Sequence, residues 1–267
     1  MTVKRRLKLA IEFDGTDFKG WQWQPGGERT VQAVLQQALA RLPGNHSPLF
    51  AAGRTDAGVH ALALTAHFDS DVNISDTKLR LALNAHLPPD VTVLAAETVA
   101  ADFEAQYSCR WRRYLYRLRV VRDEPRGLAL DRYRVLPVPV QPDVAAMQAA
   151  AAALAGRHDF ASFATQETRT TVRTVLLSEL REERGELRYH VVADGFLRNM
   201  IRTVIGTLLW VGTGKLGPAD IGPLLESRDR ARAGPNVAPH GLYFVEAGYS
   251  EFDAARSEEN LSRRLLF

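Results

Sequence analysis

The sequence predicts an α+β fold in two halves, with helices covering largely antiparallel sheet. Three observations carry that expectation. Short runs alternate apolar and polar residues at period two, as in Leu7, Leu9, Ile11 and Phe13. Helical stripes lie between these runs, as in Val31, Val34, Leu35, Ala38, Leu39 and Leu42. The same alternation of strands and helices then recurs in residues 105–267 after a first half of residues 1–104, with no repeat of sequence.

Each element follows from local chemistry. Lys4 to Phe13 reads as a strand closed by the turn pair Asp14-Gly15. Thr30 is a good N-cap for a helix from Val31 to Leu42, which Pro43 to Pro48 ends. Strands are expected at Leu49 to Ala52 and Leu62 to Asp69, a helix from Asp76 to His86 stopped by Pro88-Pro89, and a strand from Val91 to Val99. In the second half, Arg112 to Val121 is strand-like, and Pro142 opens an alanine-rich helix closed by Gly156. Strands near Thr171 to Leu180 and Leu187 to Ala193 flank the charged turn Glu182 to Glu186. A helix from Phe196 to Val211 ends at Gly212, a short helix follows Pro218, and Gly241 to Tyr249 is the last strand. The charged tail beyond Phe252 is expected to fray.

Composition narrows the function classes. With 267 residues and 46% hydrophobic content the chain can bury a substantial core. It has no apolar run of membrane-spanning length, and its basic, alternating start is unlike a signal peptide, so a cytoplasmic protein is expected. The single cysteine, Cys109, removes any disulfide framework, and it reads as a small apolar filler. Seven scattered histidines lack metal-ligand spacing, so no structural metal is expected. Net charge is only +3, but residues 110 to 119, RWRRYLYRLR, hold five arginines and no acid. A basic patch for an anionic partner is therefore compatible with a nearly neutral whole.

The sharpest local feature is Ala52-Gly53-Arg54-Thr55-Asp56-Ala57-Gly58-Val59-His60-Ala61, set between two expected strands. Glycines permit tight turns, so this loop can present the short acid Asp56 at a sheet surface. Arg54, two positions earlier, can favour the ionised, nucleophilic form of that carboxylate. A plain turn with a surface ion pair has the same composition, and physical chemistry alone prefers it.

The block GRTDAGVHA resembles the signature of the TruA family of tRNA pseudouridine synthases. Further stretches resemble that family in the same order: Phe13-Asp14-Gly15-Thr16 with Gly20-Trp21-Gln22, Leu87-Pro88-Pro89-Asp90-Val91, Arg113-Tyr114-Leu115-Tyr116, Gly156-Arg157-His158-Asp159-Phe160, Phe196-Leu197-Arg198-Asn199-Met200-Ile201-Arg202, and Ala238-Pro239-His240-Gly241-Leu242. The resemblance spans nearly the whole chain. It implies isomerisation of uridine to pseudouridine at positions 38, 39 and 40 of the anticodon stem-loop of tRNA, without a cofactor. It also implies a homodimer and two α/β domains joined by a continuous mixed sheet, with an active-site cleft between them.

By position, the resemblance makes Asp56 the essential catalytic aspartate and Tyr114 the tyrosine lying against the target base. Arg54 becomes the arginine that helps flip the nucleotide, and Arg202 the arginine that pairs with the carboxylate. The residues agree for Arg202, which borders a helical face of Ile201, Ile205 and Leu208 and so needs a partner. Arg198 borders the same face and is expected to reach solvent. Tyr114 can stack on uracil, while its neighbours Arg112 and Arg113 are candidate phosphate contacts. Trp21 and Trp23 read as core or interface indoles, Tyr116 equally as core, and His60 and His67 as packing residues near the loop. Three residues depart from the family pattern: Leu64 replaces a frequent glutamine, and Glu104 and Gln106 stand where His and Arg are usual.

Two other classes compete. A non-catalytic RNA-binding protein would bind tRNA without isomerising it. A nucleoside or glycoside hydrolase would need a second acid beside Asp56, which no nearby motif supplies. The sequence leaves open whether Asp56 attacks the base, attacks the sugar or removes a sugar proton.

Overall fold

A computed structural model describes residues 4–121, 128–165 and 170–264. It has the expected mixed α/β architecture, with ten strands and six α-helices among the described residues. Two compact units emerge, residues 1–112 with 243–267, and residues 113–242. A single boundary after residue 104 is expected from the sequence, whereas the chain leaves the first unit after Arg112 and returns to it at Tyr243. That return reflects a pairing between strands far apart in sequence, which local patterns do not reveal.

In the first unit, β1 (Arg5–Phe13) pairs antiparallel with both β3 (His60–Ser70) and β4 (Val91–Val99). The short β2 (Phe50–Ala51) also lies antiparallel to β3, while β10 (Leu242–Gly248) runs parallel to it, Tyr243 opposite His60. The strand order is β4-β1-β3-β10. Leu7, Leu9, Ile11 and Phe13 are all buried, as period two requires. Helix α1 (Val31–Leu39) buries Val31, Leu35, Ala38 and Leu39, and α2 (Asp76–Asn84) buries Leu79 and Leu83. Both start at hydroxyl caps, Thr30 and Ser75, whose side chains accept from Ala33 and Lys78 N–H.

The tail corrects its expectation. Ala254–Arg264 forms a helix, α6, with Ser257 and Leu261 buried. Ser257 Oγ and Asn260 Nδ2 donate to the buried Glu246 carboxylate at 2.6 and 3.1 Å. The sequence shows mainly charge here because only this narrow face is covered. Residues 265–267 of the tail lie outside the described residues.

The second unit orders its strands β5-β9-β8-β7. Strand β5 (Trp111–Val120) enters it at Arg113, and β6 (Leu136–Val138) runs parallel to β5. β7 (Gly156–Asp159), β8 (Val172–Glu183) and β9 (Glu186–Ala193) are antiparallel neighbours. The charged turn shrinks to two residues, Arg184 and Gly185, with φ +53° and +76° between paired Glu183 and Glu186. Positive φ at both places matches the twist of a tight hairpin. Helix α3 (Val144–Ala152) packs on β8 and on α4 (Met200–Gly212), and α5 (Ile221–Ser227) follows. Pro142 stands outside α3, because Asp143 is the cap and accepts from Ala146 N–H at 2.9 Å.

Helix α4 begins at Met200 rather than at Phe196. Its cap, Asn199, is left-handed at φ +62°, which breaks the helical path and puts Arg198 off the helix. The expected placement of Arg198 on the apolar border is therefore wrong. Arg202 remains in the first turn.

Candidate active site

The loop bearing Asp56 is fixed by the segment after β1. Trp21 N–H donates to the Thr55 carbonyl at 3.1 Å, and Gly58 N–H to the Phe18 carbonyl at 3.3 Å. A β-carbon on Gly15 would lie 2.0 Å from the Val59 carbonyl oxygen, and one on Gly20 2.6 Å from that of Thr55. Backbone meets backbone at these two points, so only glycine fits. The Asp14-Gly15 and Gly20-Trp21 motifs and the Arg-Thr-Asp loop are thus one assembly, split in sequence. Asp56 itself opens a turn closed by Val59 N–H to its carbonyl at 3.2 Å, with Gly58 at φ +77° in the third position. Asp56 is half-buried and Arg54 exposed, while Thr55 between them is buried.

His60 closes the assembly. Gly15 N–H donates to its Nδ1 at 3.0 Å, and its ring stacks on Tyr243 with centroids 4.7 Å apart. The same Nδ1 lies 3.2 Å from Asp14 Oδ1, and this contact holds the Asp14 carboxyl well below the usual carboxylate range. His60 therefore packs at the loop, as expected. His67 lies elsewhere: it accepts from Ala105 N–H at 3.1 Å, and burial pushes its imidazole towards the neutral form.

The arginine run needs correction as a nucleic-acid patch. Arg112 donates from Nε to the Ala52 carbonyl and from Nη2 to that of Gln106, both at 2.9 Å, tying the start of the Asp56 loop to the 106 turn. Arg113 is 1% exposed, with Nη2 3.3 Å from His190 Nδ1. That burial withdraws it from any phosphate. Arg117 is also buried and makes a two-pronged bond to Glu186 at 2.9 and 2.8 Å, joined by Arg119 at 2.7 Å. Five arginines without a neighbouring acid suggest a basic patch, but the carboxylate that Arg117 and Arg119 share, Glu186, comes from β9, far along the chain.

In the second unit, Tyr114 packs edge-on against Phe196, with ring centroids 4.9 Å apart. Arg202 donates from Nε to the Val237 carbonyl at 2.7 Å and from Nη1 to Asn199 Oδ1 at 3.1 Å. The Val237 segment is set by a close approach of α4, where a β-carbon on Gly206 would lie 1.9 Å from the Pro235 carbonyl oxygen. Nothing local in the sequence singles out Asn199, which falls inside the helix expected from Phe196.

The departures from the family pattern are absorbed locally. Leu64 is fully buried in β3 opposite Ile11. Glu104 accepts from Arg6 Nη1 at 2.9 Å and lies 3.3 Å from His67 Nε2, while Gln106 lends its carbonyl to Arg112. Cys109 Sγ donates to the Trp111 carbonyl at 3.1 Å, and burial pushes its thiol up, away from nucleophilic thiolate. Among the described residues, no group of three or more His, Cys, Asp or Glu side chains could hold a metal, and no helix is long and apolar enough to cross a membrane.

A mixed α/β chain with a glycine-pinned Arg-Thr-Asp loop has the form of a pseudouridine synthase. Comparison with known proteins agrees. The family model for tRNA pseudouridine synthase matches residues 9–108 and 150–250, so the chain belongs to the tRNA pseudouridine synthase family. Curated relatives include the tRNA pseudouridine synthase A of Thermus thermophilus, 45% identical over 251 residues that cover 92% of this chain and 98% of the relative. The enzyme of that name from Chromobacterium violaceum is 43% identical over 249 residues, 92% of this chain and 94% of the relative. That from Exiguobacterium sibiricum is 41% identical over 249 residues, 92% and 98%. The family is one of isomerases that convert uridine in tRNA to pseudouridine.

Proposed function

We propose that this chain isomerises uridines 38, 39 and 40 in the anticodon stem-loop of tRNA, with Asp56 as the covalent catalyst. The observation that carries the reading is the fixed loop itself. Gly15, Gly20 and Gly58 hold the backbone on either side of Asp56, so its carboxylate is presented without reorganisation.

Flipping the target nucleotide out of its stack costs a few kcal/mol. Asp56 acts while the N1–C1′ bond breaks. The uracil turns, C5 bonds to C1′, the C5 proton leaves to a base, and N1 gains a proton. No redox agent or cofactor enters that balance. Arg54, exposed beside the loop, is assigned to flipping and to filling the vacated place. Tyr114 is assigned to the face of the base and is a candidate for C5 proton removal. Arg202 is assigned to pair with the Asp56 carboxylate and keep it charged. These three roles are carried over by position from the family resemblance. So are a homodimer, testable by sedimentation, and a cytoplasmic location.

The test is tritium release from C5-labelled uridine in unmodified tRNA, comparing wild type with Asp56→Ala. The variant is expected to bind tRNA and release no tritium. Equal release would end the assignment, and free uracil in place of pseudouridine would favour the hydrolase.

A further inference from the structure

Asn199 breaks two habits of a helix cap. An N-cap normally has extended backbone and lends its side-chain oxygen to an N–H of the first turn. Asn199 is instead left-handed at φ +62° and makes no side-chain cap bond. Its amide faces the other way. Oδ1 accepts from Arg202 Nη1 at 3.1 Å, and Nδ2 donates to Thr165 Oγ1 at 2.7 Å. The orientation of the amide follows from chemistry, because a guanidinium only donates and so must meet the oxygen. The Val237 carbonyl takes Arg202 Nε at 2.7 Å, so two acceptors fix the guanidinium plane. A left-handed non-glycine residue and a forgone cap both cost stability, and such costs concentrate where function repays them.

We propose that Asn199, braced by Thr165, is a positioning residue that sets the guanidinium of Arg202 for the reaction. This rests on the role assigned to Arg202 above. Asn199 touches no reacting atom; it acts through the arginine. Its effect therefore belongs in kcat rather than in KM for tRNA.

The experiment compares Asn199→Gly, Thr165→Val, Arg202→Lys and the double variant Asn199→Gly/Arg202→Lys in tritium release from tRNA, with thermal unfolding of each. Glycine accepts φ +62°, so Asn199→Gly is expected to melt no lower than wild type. Its kcat is expected to fall about tenfold, with KM within about twofold, as for a misplaced catalytic group. Thr165→Val leaves the backbone at 199 untouched and is expected to lower kcat about threefold, because it removes the brace alone. In the Arg202→Lys background, Asn199→Gly is expected to have no further effect. Wild-type kcat in Asn199→Gly and Thr165→Val beside an impaired Arg202→Lys overturns the positioning role. So do losses that simply multiply in the double variant. Full activity in Arg202→Lys overturns the role assigned to Arg202 itself.

Discussion

Around Asp56 the fixing contacts run mainly from backbone to backbone, with Arg112 and His60 adding a side-chain bond each, whereas around Arg202 they run from side chain to side chain or carbonyl. The Asp56 loop is held by the Trp21 and Gly58 N–H bonds and by the close approaches at Gly15 and Gly20. The Arg202 turn is held by an amide, a hydroxyl and one carbonyl. The buried charges of the second unit extend the contrast, with Glu186 gathering Arg117, Arg119 and Arg188. A backbone-fixed site tolerates changes of charge and fails when a methyl group is added. A site fixed by side chains behaves the other way round.

The largest expected effect lies in that charged cluster. Glu186→Gln leaves buried guanidinium groups short of a counter-charge, and losing one partner of a buried pair costs about 3–5 kcal/mol. Urea unfolding should show the loss, while the folded fraction keeps its activity because the Asp56 loop does not depend on Glu186. Activity lost at full folding would mean the two regions are not separately built.

Acid should reveal the same cluster. Burial works to raise the Glu186 carboxyl, but the bonds from Arg117 and Arg119 outweigh it and hold the group at about 2, below the usual 4.5. A depressed carboxylate stabilises the fold fully above its unfolded value and loses that contribution as pH falls towards 2, here about 3 kcal/mol. Urea midpoints taken between pH 6 and pH 3 should fall in wild type and fall less steeply in Glu186→Gln. Parallel slopes would put the acid sensitivity elsewhere.

Gly15→Ala tests the other side of the contrast. With a carbonyl oxygen 2.0 Å from the added carbon, the segment after β1 and the loop must separate. Overpacking of this kind costs about 1–3 kcal/mol. Because the displaced backbone is that of Val59, kcat should fall by more than the stability loss explains. An unchanged kcat would show that Asp56 does not need the glycine contact.

The same contrast governs what the sequence makes legible. Gly58 could be read as a turn residue beside Asp56, but the approach of Gly15 and Gly20 to that loop shows only in the fold. Strand β1, helices α1 and α2 and strand β4 were readable because period and caps are local. The arginines of β5 were not. Arg113 and Arg117 look like a basic surface until His190 and Glu186 arrive from β9. Asn199 was hidden for a related reason: its partner Thr165, and the Val237 carbonyl that holds Arg202 beside it, lie more than thirty residues to either side. Strand β10 pairs parallel to β3 across almost the whole chain, so the return to the first unit had no local sign.

The smallest expected effect is of opposite sign and guards the glycine argument. Gly217 precedes Pro218 with extended backbone at φ −89° and ψ 158°, as the residue before a proline prefers, and an added β-carbon would make only an ordinary contact with Asp220 Oδ2 at 3.4 Å. Alanine there loses less backbone freedom on folding and should raise stability by about 0.4–1 kcal/mol. Thermal unfolding of Gly217→Ala beside Gly15→Ala separates the two meanings of one residue type. If both variants were destabilised, glycine would matter in this fold through general flexibility, and the close approach at Val59 would lose its special standing. If only Gly15→Ala suffers, the cost belongs to the contact that holds the Asp56 loop.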